Sequence, residues 1–177
     1  VARSAGAIVV EHPINLGQGA SLQTGFDFAL SDPLMTEVVT FDADGQHQVA
    51  DAAAMVEKLR DEKLDIVIGS RFLDDRTQVG WAKRLVLRTA ARYSRWTSGM
   101  ALTDAHNGLR VLDRSVLERV RISQNRMAHA SELIDKVGKS GARWAEYPTH
   151  IVYTDYSRAK GQSLLNSVNI LVDLIFR

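Results

Sequence analysis

Two β-branched runs separated by one helix-length segment restrict what this chain can become. Val38-Val39-Thr40-Phe41 and Leu64-Asp65-Ile66-Val67-Ile68 carry the residues that suit buried strands. Between them, about Gln48 to Asp61, Val49, Ala52, Ala53, Val56 and Leu59 recur at helical spacing and predict an apolar face. Upstream, Ala7-Ile8-Val9-Val10 predicts another strand, and a glycine-punctuated stretch from Asn15 to Gly25 runs into Phe26-Asp27-Phe28-Ala29-Leu30 as a helix. The resulting β-α-β-α-β order predicts an α/β fold, a mostly parallel sheet with right-handed crossovers flanked by helices.

The run at Val38 delivers two carboxylates, Asp42 and Asp44, with Gly45 behind them to end the strand. In open α/β sheets ligands bind outside the carboxyl ends of the strands, which is where these acids fall. Side chains at i and i+2 of an extended segment point the same way, so the two acids can converge on one cation, although Asp-x-Asp also commonly marks a turn or a helix cap. Hard oxygen donors suit Mg²⁺ or Mn²⁺, and Mg²⁺ is commonly held by one or two carboxylates plus substrate phosphates. An EF-hand is excluded, because that loop needs Gly at its sixth position and Glu at its twelfth, where His47 and Ala53 stand.

The 177 residues suffice for one domain with a sizeable core. A net charge of +1 provides no electrostatic footprint for nucleic acid. Cysteine is absent, which removes disulfides and thiolate metal sites and suits a reducing compartment. No apolar run reaches the ~18 residues of a membrane span. The chain opens on Val1 rather than Met.

Further segments carry weaker signals. Gly17 and Gly19 at a helix start would let backbone N–H groups approach an anion, or simply allow tight packing, as would Gly25. Arg71, after Gly69-Ser70, leaves the same sheet edge as Asp42 and could clamp phosphate oxygens. From Gly80 to Ser98 a helix is expected with Trp81, Leu85, Thr89, Tyr93 and Trp96 on one face and Arg84, Arg88, Arg92 and Arg95 beside it. That pattern fits a core stripe under a solvated basic face or an anionic membrane surface. Thr103 to Leu112 is expected to be a loop entering a strand, Arg114 to Val120 and Ala128 to Lys139 helices, and Arg143 to Tyr153 a strand interrupted by Pro148. His47, His106, His129 and His150 show no metal-ligand spacing. Arg158-Ala159-Lys160-Gly161-Gln162-Ser163 is basic, and residues 164–177 form an amphipathic pattern too short to span a bilayer. It would lie on a membrane, on a partner, on a second copy or on its own domain.

Taken together, these segments resemble a family-2 glycosyltransferase of the GT-A fold, in the branch of dolichol- and polyprenyl-phosphate sugar transferases. The resemblance rests on Asn15-x-Gly17-x-Gly19-Ala20, Asp42-Ala43-Asp44-Gly45-Gln46-His47, Gly69-Ser70-Arg71, Asp104-x-x-x-Gly108-Leu109-Arg110 and Arg158-x-x-Gly161-x-Ser163. It implies a GT-A core over residues 1–157, with the family's opening strand and nucleotide-base pocket preceding Val1, and a basic loop and C-terminal helix over 158–177. A nucleoside-diphosphate sugar would be the donor, bound by Asn15, Gly17, Gly19, Asp42 and Asp44. Asp42, Asp44 and Gln46 would hold Mg²⁺ or Mn²⁺. A lipid phosphate would be the acceptor, positioned by Arg71, Arg110, Arg158 and Ser163; for a hydroxyl acceptor Asp104 would be the general base, with Arg71 beside it. The implied setting is cytoplasmic and peripheral on the membrane face, with no nucleic acid and a homo-oligomer through the C-terminal helix as an option. The competing readings are a nucleotidyltransferase acting on a sugar phosphate and a non-catalytic assembly module.

Overall fold

Strands β1 (Glu37–Thr40) and β2 (Ile66–Ser70) form within the two β-branched runs, and helix α2 (Val49–Asp61) joins them. The computed structural model describes residues 1–74, 89, 92, 95, 96, 98–126 and 128–152. Among these, β3 (Arg110–Asp113) and β4 (Trp144–Pro148) complete a four-stranded sheet in the order β1-β3-β2-β4. Helices α1 (Gln18–Leu30), α3 (Arg114–Arg119) and α4 (His129–Lys139) follow the expected positions closely, and a 3-10 turn spans Arg3–Ala5. Asp113 caps α3 by accepting the Ser115 N–H at 2.8 Å.

Three strands share one direction and β3 runs against them. β3 is antiparallel to both β1 and β2, whereas β4 is parallel to β2. The α/β architecture is as expected, and the sheet is mixed because the chain re-enters it from the carboxyl ends of β1 and β2. A strand begun there has to run backwards. Arg110 consequently pairs with Thr40 on one side and Ile68 on the other.

The pleat sorts the core into two layers. Ile66, Ile68 and Leu112 face a cluster with Phe26, Val116, Leu133, Ile134 and Val137, covered by α1, α3 and α4. Val67 and Val111 face the other way, onto Ala52, Met55 and Leu59 of α2. Strands buried on both faces are continuously apolar, which is why β2 has no buried-exposed alternation.

Several expectations are corrected here. Ala7 to Val10 is not a strand; no neighbour pairs with it among the described residues, and Ile8 is 76% exposed. The buried stripe of α2 runs through Ala52, Met55 and Leu59, an i, i+3, i+7 series, while Val49 and Ala53 are exposed. A Cβ at Gly25 would meet nothing within 4 Å among the described residues, so no close contact there requires glycine. Residues 89, 92, 95, 96 and 98 are helical as expected, but Trp96 is 82% exposed, so it is not a core residue. Residues 149–152 do not continue β4. The rest of the 80–98 helix, Tyr153, Arg158, Ser163, the boundary at 157 and the 164–177 helix lie outside the described residues.

Glu132, in the first turn of α4, ties the preceding loop down. It accepts N–H bonds from Ser123 and Gln124, the latter at 2.8 Å, and the Ser123 hydroxyl, and it pairs with Lys136. Burial opposes its ionisation, but Lys136 and the Ser123–Gln124 donors outweigh burial and lower its pKa from 4.5 to about 2. A depressed folded-state pKa contributes stability above the unfolded value that is lost as pH falls toward the folded one. Stability measured by urea denaturation is therefore expected to drop from about pH 4.5 to about 2, and Glu132→Gln should flatten that part of the profile.

Candidate active site

Four loops meet beyond the carboxyl ends of β1, β2 and β4. They enclose a cavity of about 90 Å³ lined by Asp42, Gln46, His47, Arg71, His106, Asn107, Gly108 and Ile151. The antiparallel β3 is what brings the Asp104–Gly108 loop here. Backbone bonds close the far side: Thr149 N–H donates to the Ser70 carbonyl at 2.9 Å, and Val152 N–H to the Gln46 carbonyl at 3.0 Å.

β1 stops at Thr40, and residues 43–46 form a turn. The two acids therefore do not share an extended segment, and the expected i, i+2 alignment does not apply. Asp44 is exposed and its Oδ1 accepts the Gln46 N–H at 3.0 Å, an Asx-type turn. Asp42 is half-exposed, with its Oδ2 3.4 Å from Nε2 of the buried His47, whose ring meets Phe41 edge to face. The bond to His47 does most to hold the Asp42 carboxyl below the usual carboxylate value. Burial opposes it, and His47, Arg110 and His129 add favourable charge. Histidine spacing gives no sign of this role for His47; the signal in the sequence is its place inside the acidic motif.

The donor set fits a hard divalent ion. Asp42 and Gln46 line one cavity, Asp44 is in the same turn, and all three offer oxygen. Among the described residues no group of three or more His, Asp or Glu side chains is arranged to share a metal. An ion here would draw further ligands from substrate and water, as Mg²⁺ commonly does.

Asp104 and Arg71 are placed together, but not as expected. Asp104 is 1% exposed and takes two hydrogen bonds from the Arg71 guanidinium, Nε and one terminal nitrogen, both at 2.6 Å. Burial pushes its pKa up, and the Arg71 charge and hydrogen bonds more than reverse this, leaving it below the ordinary value. Shielded and ion-paired in this way, Asp104 is poorly placed to act as a general base. Arg71 still lines the cavity, oriented by Asp104.

Glu146 of β4, which nothing in the local sequence distinguishes from its strand neighbours, organises the same loop. Its carboxylate accepts the Thr103 N–H at 2.8 Å, the Asp104 N–H at 3.1 Å and the Thr103 hydroxyl at 3.0 Å. Burial raises its pKa, against the pull of those donors. His106 is driven down to about 4, by burial first and by Arg110 second, and is neutral at pH 7.

Arg110 is 3% exposed and does not line the cavity, so it is not positioned to grip a phosphate there. It donates to the Ala105 carbonyl at 3.2 Å, and its Nε has no partner among the described residues. Burial lowers its pKa to about 10 against the opposing carboxylates of Asp104 and Asp42, so it stays charged beneath the site.

The expected anion cradle at Asn15, Gly17 and Gly19 is also corrected. The Gly17 N–H donates to Asn15 Oδ1 at 2.9 Å, and the Gly19 N–H to the Asn125 carbonyl at 2.9 Å. A Cβ at Gly19 would strike the Gln124 carbonyl oxygen and come within 2.8 Å of His129 Cβ. These glycines admit the 124–126 loop against the helix start, and their donors are already used. Arg158 and Ser163 lie outside the described residues.

An α/β sheet whose carboxyl edge carries an acidic turn and an ion-paired arginine has the layout of a ligand-binding α/β enzyme. Residues 1–121 match the model of Glycosyl transferase family 2, and the chain belongs to that family of glycosyltransferases. Over its whole length it is 31% identical to an uncharacterised protein of Methanocaldococcus jannaschii, covering 74% of that protein. It is 27% identical, over 95% of its length and 68% of the relative, to the UDP-N-acetylglucosamine–dolichyl-phosphate N-acetylglucosaminyltransferase of Methanococcus voltae. The polyprenol monophosphomannose synthase of Mycolicibacterium smegmatis is 34% identical over 65% of this chain and 43% of its own length.

Breaking one partner of a buried ion pair leaves the other charge uncompensated, at a cost of about 3–5 kcal/mol. Arg71→Met, which strands the Asp104 carboxylate, and Asp104→Asn, which strands the Arg71 guanidinium, should each lower the free energy of unfolding by about that much in urea denaturation.

Proposed function

We propose that the protein moves a sugar from a nucleoside-diphosphate sugar to a polyprenyl or dolichyl phosphate, with inversion at the anomeric carbon, at the cytoplasmic face of a membrane. The observation that carries the choice of acceptor is the state of Asp104: the carboxylate beside the cleft is buried and committed to Arg71. A hydroxyl acceptor would need a general base; a phosphate monoester is already anionic and needs none. The Methanococcus voltae and Mycolicibacterium smegmatis relatives, a dolichyl-phosphate N-acetylglucosaminyltransferase and a polyprenol monophosphomannose synthase, support the same acceptor class.

In this mechanism Asp42, Asp44 and Gln46 would hold a divalent ion, which would supply charge neutralisation for the departing diphosphate. Asp42 remains ionised because His47 and the buried Arg110 stabilise its carboxylate. Arg71, fixed in place by Asp104 and through it by Glu146, presents positive charge on the cleft wall to phosphate oxygens. An oxygen of the acceptor phosphate attacks the anomeric carbon from the face opposite the diphosphate. The new carbon–oxygen bond forms as the bond to the diphosphate breaks, and the nucleoside diphosphate leaves with that electron pair.

Arg158 and Ser163 remain acceptor-phosphate candidates from their sequence motif. Exposed Arg92, Arg95 and Trp96 suit contact with an anionic bilayer surface. No helix among the described residues is long and apolar enough to cross a membrane. Family membership favours the transferase over the nucleotidyltransferase and assembly-module alternatives.

Titration calorimetry of UDP-N-acetylglucosamine and GDP-mannose, with and without Mn²⁺, tests the donor site. Binding of one donor is expected to need Mn²⁺ and to vanish in Asp42→Ala. Donor binding that ignores both the metal and Asp42 would refute the assignment.

A further inference from the structure

Gly108 lies in the cavity wall directly against Asp42. The three atoms nearest to a Cβ built on Gly108 all belong to Asp42: it would overlap Oδ2 and sit 3.1 Å from Cγ and 3.5 Å from Oδ1. Gly108 is not among the glycines with positive φ, so the backbone does not require glycine there. The space does. On its other side Oδ2 is 3.4 Å from His47 Nε2.

The backbone at Gly108 is held on both flanks. Its carbonyl accepts the Thr40 hydroxyl at 2.6 Å, the Asn107 side chain donates to Thr149 Oγ1 at 3.0 Å, and Leu109 N–H returns to Asn107 Oδ1 at 3.0 Å. A methyl group at this position therefore displaces the half-exposed Asp42 carboxylate rather than the loop. We infer that Gly108 is a positioning residue for the divalent-ion site: with His47 it grips Asp42 Oδ2 and leaves Oδ1 as the metal donor. This rests on the metal role proposed above for Asp42.

The test is Mn²⁺ binding to the full chain, followed by the electron paramagnetic resonance signal of free Mn²⁺ with GDP or UDP present, and no turnover is needed. Outer-shell partners of metal ligands typically account for about 10–100-fold in affinity. Gly108→Ala is expected to weaken Mn²⁺ binding by about that factor while the melting temperature stays near that of the wild type. In an Asp42→Asn background the same change should add nothing. Wild-type affinity in Gly108→Ala, or an undiminished further loss in the Asp42→Asn background, overturns the inference. His47→Asn provides a second arm should Gly108→Ala fail to fold: it is expected to weaken Mn²⁺ binding, and unchanged binding overturns the grip on Oδ2. If Asp42→Asn itself leaves Mn²⁺ binding intact, the metal role fails and this inference with it. If Asp42 is required and Gly108→Ala binds normally, the inference alone fails.

Discussion

The buried pair between Asp104 and Arg71 is the constraint on which the cleft depends. It fastens the loop ahead of β3 to the segment that leaves β2, two parts of the chain separated by a long excursion. Two hydrogen bonds between full charges out of water resist loosening, since either charge left alone would be costly to keep buried. Glu146 then ties the same loop to β4 through the Thr103 and Asp104 N–H groups. Three strands of the sheet thus share one polar brace, and the cavity wall between Arg71 and Gly108 is set by it.

That brace also sorts the charged residues by task. Asp104, Arg110 and Glu146 are withdrawn from the cleft and act on its residues through hydrogen bonds and field. Asp42, Gln46 and Arg71 remain at its surface. Arg110 illustrates the difference: it is charged, close enough to bias Asp42, and yet too deep to touch a substrate.

Glycines meet the same need for space in two separate places. At Gly17 and Gly19 the missing side chain lets another backbone segment close on a helix start. At Gly108 it makes room for a carboxylate. Glycine spacing in the sequence cannot distinguish these uses from an anion cradle, because all three demand a residue without Cβ; the difference lies in what arrives from elsewhere in the chain.

Much of the architecture was legible from local pattern. The runs at Val38 and Ile66 and the helix between them declared an α/β sheet, and Asp42 marked the sheet edge where the cavity lies, because strand and helix periods are written in consecutive residues. The run Ala7–Val10 shows the limit: β-branched residues make a strand where a partner strand pairs with them, and none does among the described residues. The direction of β3, the burial of Asp104 and Arg110, the engagement of the Gly17 and Gly19 donors and the contact of Gly108 with Asp42 were decided by tertiary structure. Each depends on residues far apart in sequence meeting at a short distance, and a carboxylate or guanidinium looks the same in a sequence whether water, a counter-charge or a substrate will surround it.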